Sequence, residues 1–265
     1  MMKQISYTSR GETVFGYAHI PEHAEAAPAL ILCHGFTGAS HEGSRLFVTL
    51  ANAAAAAGFY VMRINFVGSG DSDADFAEYT TLGGWMEDVR NGVTFLQAQR
   101  EVNPERIGVL GISFGAGTAL ACGIDRRIKA VAGWAPVIDT EVVFRGIFGD
   151  ENWEKLEACA AGKTEETSLR IEHEYAGARF AVTEQFVKDA QTISIPQQVK
   201  QYEETELLLM QGDQDTVIDV TRAGRLAQEL PFTAEYHLIA GEDHSFMVHM
   251  GQNISTTLAF FARTL

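Results

Sequence analysis

Basic residues are in short supply. The 265-residue chain carries 20 Lys and Arg against 35 Asp and Glu, a formal net charge of −15. Such a surface repels phosphate backbones and anionic lipid, so neither nucleic acid nor membrane is expected as a partner. Acidity also favours solubility, which is the plainer reason for it. Cysteine is scarce too. The three present, Cys33, Cys122 and Cys159, are odd in number and far apart. That argues against a disulfide framework and leaves no CxxC or zinc pattern, so no metal is expected. Cys33 and Cys122 sit in apolar runs and read as small buried hydrophobes, which fits a reducing compartment. Long hydrophobic runs are missing as well. No stretch of ~18 apolar residues occurs, and the opening MMKQISYTSRGETVFGYAHIPE holds no apolar signal core. The expectation is a cytoplasmic protein.

What is present is an ordinary globular composition, 46% hydrophobic and 21% charged. Alternation around Ile5–Tyr7 and Val14–Ala18, with SRGE between, predicts an antiparallel hairpin. Then apolar runs alternate with helical segments. PALILCHG, FYVMRINF, RIGVLG, IKAVAGWAP, TELLLMQG and AEYHLIAG read as strands. LFVTLANAAAAAG, WMEDVRNGVTFLQAQ, FGAGTALACG, VTRAGRLAQEL and HSFMVHMGQNISTTLAFFARTL read as helices. The pattern predicts an α/β fold with a mostly parallel sheet covered on both faces. One stretch breaks the rhythm. Residues 138–204 contain no buried strand and are too long for a simple crossover. They are expected to form an inserted cap, with FRGIFGDENWEKLEACAAGKTEE and FAVTEQFVKDAQTI helical. The core is then 1–137 with 205–265. Phe144, Phe148 and Trp153 either hold the cap down or line a substrate pocket, with Phe246 a further pocket candidate.

GVLGISFGAG, Gly108 to Gly117, could serve three chemistries. As a dinucleotide loop it lacks the third glycine, because Leu120 stands there. As a P-loop it lacks the lysine. The neighbouring VGSGDSDAD spaces Asp71, Asp73 and Asp75 like a calcium loop. Phe76 and Leu82, however, replace the required glycine and glutamate. The nucleophile pattern G-x-S-x-G does match, as Gly111-Ile112-Ser113-Phe114-Gly115, between a strand and a helix. There the serine projects from a strained turn, and the flanking glycines avoid clashes with its neighbours. Chance supplies this pattern in about one chain in ten of this length, so partners must decide.

A nucleophilic serine needs a base, an acid to orient that base, and oxyanion donors. His244, after the last strand, is the candidate base. His237 lies within a strand, His249 a turn further on, and His19, His23, His41 and His173 in earlier or peripheral segments. Asp213 and Asp215 both follow a strand. Asp215 is preferred because it stands deeper in the loop, while Asp213 braces the turn. The donors expected are the backbone N–H groups of Phe114 and of Phe36, in the loop His34-Gly35-Phe36-Thr37-Gly38. His34 reads as a structural brace.

Taken together, HGFTG, RINFVGSGDSD, GISFG, GDQDTVI and GEDHSF resemble the α/β-hydrolase superfamily, and within it the bacterial cinnamoyl (feruloyl) esterases and related carboxylesterases. Two stretches depart from that pattern: in the elbow Ile112 and Ala116 replace a histidine and a glycine, and in Arg63-Ile64-Asn65 the asparagine replaces an aspartate. The resemblance implies an α/β-hydrolase fold, a Ser113–Asp215–His244 triad, Phe36 and Phe114 as oxyanion donors, and a cap that selects the acyl group. It implies a serine carboxylesterase acting on a small-molecule ester, of cinnamoyl or short-acyl type, without cofactor. A homodimer is an open assembly state. Amide or thioester hydrolysis by the same triad, and a non-catalytic ligand-binding role, are the alternatives.

Overall fold

The computed structural model describes residues 1–22, 25–175 and 177–265. Strands β1 (Met2–Ser9) and β2 (Glu12–His19) form the expected hairpin, and β2 runs antiparallel to β4 (Tyr60–Ile64). The rest of the sheet is parallel: β3 (Ala27–Cys33), β5 (Val102–Ile112), β6 (Ile128–Trp134), β9 (Glu206–Gly212) and β10 (Glu235–Ile239). Spatial order is β1-β2-β4-β3-β5-β6-β9-β10. Strands β3, β4, β6 and β9 are mostly apolar and almost wholly buried because both faces are covered, with Arg63, Lys129, Glu206 and Gln211 the charged or polar exceptions. Helices α1 (Leu46–Ala56) and α10 (Met250–Thr264) cover one face through Leu46, Phe47, Leu50, Ile254 and Phe261. Helices α3 (Leu82–Gln97), α4 (Phe114–Cys122) and α9 (Arg222–Glu229) cover the other, through Trp85, Val89, Phe114, Leu120 and Leu226. The short α2 (Phe76–Tyr79) precedes α3.

A buried carboxylate ties the hairpin to α3. Asp88 is fully buried and accepts from Ser9 Oγ at 2.6 Å, Arg10 Nη2 at 2.7 Å and Val67 N at 3.1 Å. Its desolvation is offset by a paired cation and several donors, the condition under which a buried charge is tolerated.

Between β6 and β9 the chain forms α5 (Thr140–Phe148), α6 (Asp150–Ala160), β7 (Arg170–Tyr175), β8 (Ala178–Thr183), α7 (Glu184–Thr192) and α8 (Ile195–Val199). Apolar spacing predicts helix throughout FAVTEQFVKDAQTI. Instead FAVT belongs to β8, antiparallel to β7, and the helix starts only at Glu184. Phe180, Val182 and Thr183 have the aromatic and β-branched side chains that favour a paired strand, a choice local periodicity could not reveal. The last helix also starts later than expected, at Met250. The fully buried Glu242 accounts for this. Its carboxylate accepts from Val248 N at 3.0 Å, His249 N at 2.8 Å and Asn253 Nδ2 at 2.8 Å, holding residues 243–249 as a loop before the helix.

Candidate active site

Ser113 stands between β5 and α4 at φ 56°, ψ −122°, a conformation that side-chain-bearing residues rarely adopt. Its neighbours enforce it. A Cβ on Gly111 would run into the Gly115 carbonyl, and one on Gly115 into the carbonyl oxygens of Cys33 and His34. The Ser113 N–H donates to Trp134 O at 2.9 Å, and its carbonyl accepts from Val137 N at 3.1 Å. The turn is thereby pinned to the strand beside it, and the hydroxyl is left to face away.

The hydroxyl meets a histidine. Ser113 Oγ is 3.0 Å from His244 Nε2, and His244 Nδ1 is 2.8 Å from Asp215 Oδ2. The other Asp215 oxygen accepts from Val217 N at 2.8 Å and Ile218 N at 3.2 Å, while Gln211 Nε2 donates to Oδ2 at 3.0 Å. Burial pushes the Asp215 pKa up, but the bonds from His244 and the two amides outweigh it and hold the carboxyl below its ordinary value. An ionised Asp215 requires a proton on His244 Nδ1, which leaves Nε2 as the acceptor facing the serine. Asp213 accepts from Gly241 N at 2.7 Å and Asp243 from Ser245 N at 2.9 Å; both brace turns.

The loop after β3 lies against the serine: a Cβ on Gly35 would stand 3.5 Å from Ser113 Cβ. His34 is fully buried. Its Nε2 accepts from Phe66 N at 3.3 Å, so its Nδ1 carries the proton given to Gly35 O at 2.8 Å. Burial lowers its pKa to about 4, partly opposed by the bond to the Gly35 carbonyl. Phe114 is the first residue of α4, so its N–H is one of the first-turn donors without a helical partner. Phe36 sits on the adjacent loop, its ring edge-on to that of Phe114 at 6.0 Å.

A cavity of about 360 Å³ opens at Ser113 and His244, walled by Phe36, Glu42, Leu46, Ile112, Ser245 and Met247. The four aromatic residues expected to line a pocket are elsewhere. Phe144, Phe148 and Trp153 are buried in the segment between β6 and β9; Phe144 stacks edge-on against Phe36 at 4.8 Å and Phe186 at 4.7 Å. Phe246 lies under the other face of the sheet, stacked on Trp134 at 5.1 Å. Aromatic area of this size is more stable in a core than at a wet cavity wall, and the first three belong to the buried core. Asp75 is also accounted for: it caps α2 through Ala77 N at 2.9 Å and pairs with Arg170 Nη1 at 2.8 Å. Among the described residues no group of three or more His, Cys, Asp and Glu is arranged to hold a metal. No described helix is long and apolar enough to cross a membrane.

Residues 46–265 match the profile of the prolyl oligopeptidase family. The chain belongs to that family. The prolyl oligopeptidase match takes in Ser113, Asp215 and His244 and begins just downstream of the His34–Gly38 loop. A curated relative from Escherichia coli, an uncharacterised 31.7 kDa protein of the traX-finO intergenic region, is 30% identical over 128 residues, 48% of this chain and 43% of its own. The chain spans less than half the length of the curated relatives it matches. Among solved structures, Est1E from Butyrivibrio proteoclasticus bound to ferulic acid superposes with a TM-score of 0.81 at 22% identity, covering 98% of both chains. A puromycin-hydrolyzing peptidase of Mycobacterium tuberculosis gives 0.75 at 18% identity, over 99% of this chain and 39% of its own. These likenesses show the α/β-hydrolase fold.

Of the sequence-derived candidates, Ser113 and Asp215 are each hydrogen-bonded to His244, and Phe36 and Phe114 border them. His23 lies outside the described residues. Three residues around the site carry little or no signal in the sequence. Gln211 touches Asp215, Glu242 braces the loop carrying His244, and Glu42 reaches Gly35. A polar residue closing an apolar strand, as in LLLMQG, was the only signal for Gln211; acidic side chains in loops gave none for the other two.

Proposed function

We propose that the protein is a serine hydrolase that cleaves carboxylic esters through an acyl-enzyme on Ser113. The observation that carries this is the unbroken chain Ser113 Oγ–His244 Nε2 at 3.0 Å and His244 Nδ1–Asp215 Oδ2 at 2.8 Å, opening onto a cavity. In the first step His244 Nε2 takes the Ser113 proton as Oγ attacks the ester carbonyl. The Phe36 and Phe114 N–H groups receive the developing oxyanion; losing one such donor typically costs ~10²–10³ in rate. Asp215 holds the tautomer and stabilises the imidazolium, which then protonates the departing alcohol. Water clears the acyl group by the same route. A volume of about 360 Å³ suits a short acyl chain or a single aromatic ring of cinnamoyl type. Segment 138–204 acts as a cap in this reading, packed on the ring of Phe36.

Amide cleavage is the second reading, favoured by membership of the prolyl oligopeptidase family and by the peptidase among the structural neighbours. A panel of nitrophenyl esters of increasing chain length, methyl ferulate and aminoacyl anilides separates the two. Wild type should hydrolyse short or aromatic esters faster than anilides, and Ser113→Ala and His244→Ala should lose at least ~10³-fold. Turnover that survives Ser113→Ala would sink the hydrolase reading; preference for anilides would replace esterase with peptidase.

A further inference from the structure

Glu42 borders the cavity at Ser113, yet the hydrolytic scheme above assigns it no task. Its backbone is at φ 54°, ψ 171°, a region normally left to glycine. Ser44 and Arg45, close behind, also have positive φ, 49° and 63°. Strain concentrated beside an active site persists only where surrounding contacts over-determine it.

The contacts converge on Gly35. Glu42 Oε1 accepts the Gly35 N–H, and Glu42 Oε2 accepts the Gly43 N–H at 3.1 Å. On its other side the Gly35 carbonyl accepts from His34 Nδ1 at 2.8 Å and from Gly38 N at 3.0 Å. That carbonyl and the Phe36 N–H belong to one planar trans peptide and point in opposite directions. Whatever fixes the Gly35 carbonyl therefore aims the Phe36 N–H. His34 and Gly38 hold one end of Gly35 and Glu42 holds the other. A carboxylate makes a stronger bond to an amide than a neutral acceptor does. Space is tight around it: a Cβ on Gly38 would stand 2.8 Å from Glu42 Oε1.

We propose that Glu42 is a positioning residue for the oxyanion-binding loop, fixing Gly35 so that the Phe36 N–H is preorganised toward the ester oxygen. The proposal rests on the reading of Ser113 as nucleophile and Phe36 as oxyanion donor. It assigns Glu42 to the transition state rather than to ground-state binding, because an oxyanion donor is used fully only once charge has formed.

The test compares wild type with Glu42→Ala, Glu42→Gln and Glu42→Asp. It uses the nitrophenyl ester the wild type turns over fastest, with the rate of Ser113 labelling by a fluorophosphonate, read by intact mass, as a second measure. Glu42→Ala should lower kcat on the order of 10²-fold with KM changed less than about threefold, and slow labelling in parallel. Glu42→Gln keeps an oxygen for the Gly35 N–H and should recover at least ~10-fold of that loss. Glu42→Asp is one methylene too short to reach Gly35 and Gly43 together, and it carries the test if Glu42→Ala fails to fold. An unchanged kcat, a loss confined to KM, or a Gln variant no better than Ala overturns the proposal while leaving the hydrolase reading intact. A wild type that neither turns over nor labels overturns both.

Discussion

Asp215 divides two tasks between two oxygens. Oδ2 faces His244 Nδ1 and Oδ1 is occupied by the Val217 and Ile218 amides, so the carboxylate cannot rotate without losing bonds at both ends. Asp215→Asn preserves the shape but can present an NH₂ group to His244. The ring would then take the opposite tautomer, with its proton facing the serine. The expected result is a fall in kcat on the order of 10³–10⁴-fold with the fold intact, measured by steady-state kinetics beside circular dichroism. A loss below about tenfold would remove Asp215 from its proposed role. Ile112, unusual in the elbow for the esterase pattern, is nearly buried and forms part of the cavity wall beside Ser113. An apolar side chain there makes that side of the cavity drier than a histidine would.

At the scale of elements, the segment between β6 and β9 is held by aromatic packing. Phe144 and Phe148 from α5, Phe180 from β8 and Phe186 from α7 gather around the ring of Phe36, with Phe180 4.9 Å from it. One phenylalanine thus contacts that segment with its ring and borders the cavity at Ser113. Phe144→Ala should cost about 3–5 kcal/mol of stability, seen in urea unfolding. Hydrogen exchange should rise first in α5 and α7 and leave β3, β5 and β6 protected. If protection fell evenly across the sheet, the segment would not be the separable layer described. The hairpin is attached differently, by the β2–β4 ladder and the polar Asp88 cluster, and contributes no residue to the cavity.

For the molecule as a whole, buried His34 couples the site to acid stability. Its pKa is about 4 in the folded chain against 6.5 for the free side chain, so the unfolded state binds the proton more readily. The stabilisation is complete above pH ~6.5 and is lost as pH falls toward ~4, at most about 3 kcal/mol by linkage. Between pH 7 and pH 5 the wild type should lose about 2 kcal/mol more than His34→Gln, whose side chain does not titrate. Urea midpoints at the two pH values measure this, and equal losses in both proteins would contradict it.

Much of this molecule was written locally. Apolar runs such as PALILC and IKAVAGW are long enough to be strands and too uniformly apolar to have a wet face, so a sheet covered on both sides followed from them. Gly111 and Gly115 bracket Ser113 at the one spacing that lets a strand reverse into a helix, which made the serine visible. Asp215 and His244 were legible because each follows the end of a strand. Other features depended on neighbours distant in the chain. FAVT became a strand only because β7 offered a partner, and the last helix waited until Met250 because Glu242 claimed the amides before it. Whether Phe144, Phe148 and Trp153 lined a pocket or filled a core was undetermined by their spacing, since apolar periodicity reports burial and not what the residue is buried against. Glu42 is the sharpest case: nothing in HEGSR marks it, and its link to Gly35 exists because a strained turn folds the chain back seven residues onto the loop beside Ser113. The sequence by itself determined the order along the chain of the main-sheet strands and the helices between them, and the identity of the serine, acid and base candidates, because these follow from local periodicity and turn chemistry. Only the tertiary structure decided which side chains wall the cavity and which carboxylate holds the loop, because those depend on contacts between segments that sequence spacing does not bring together.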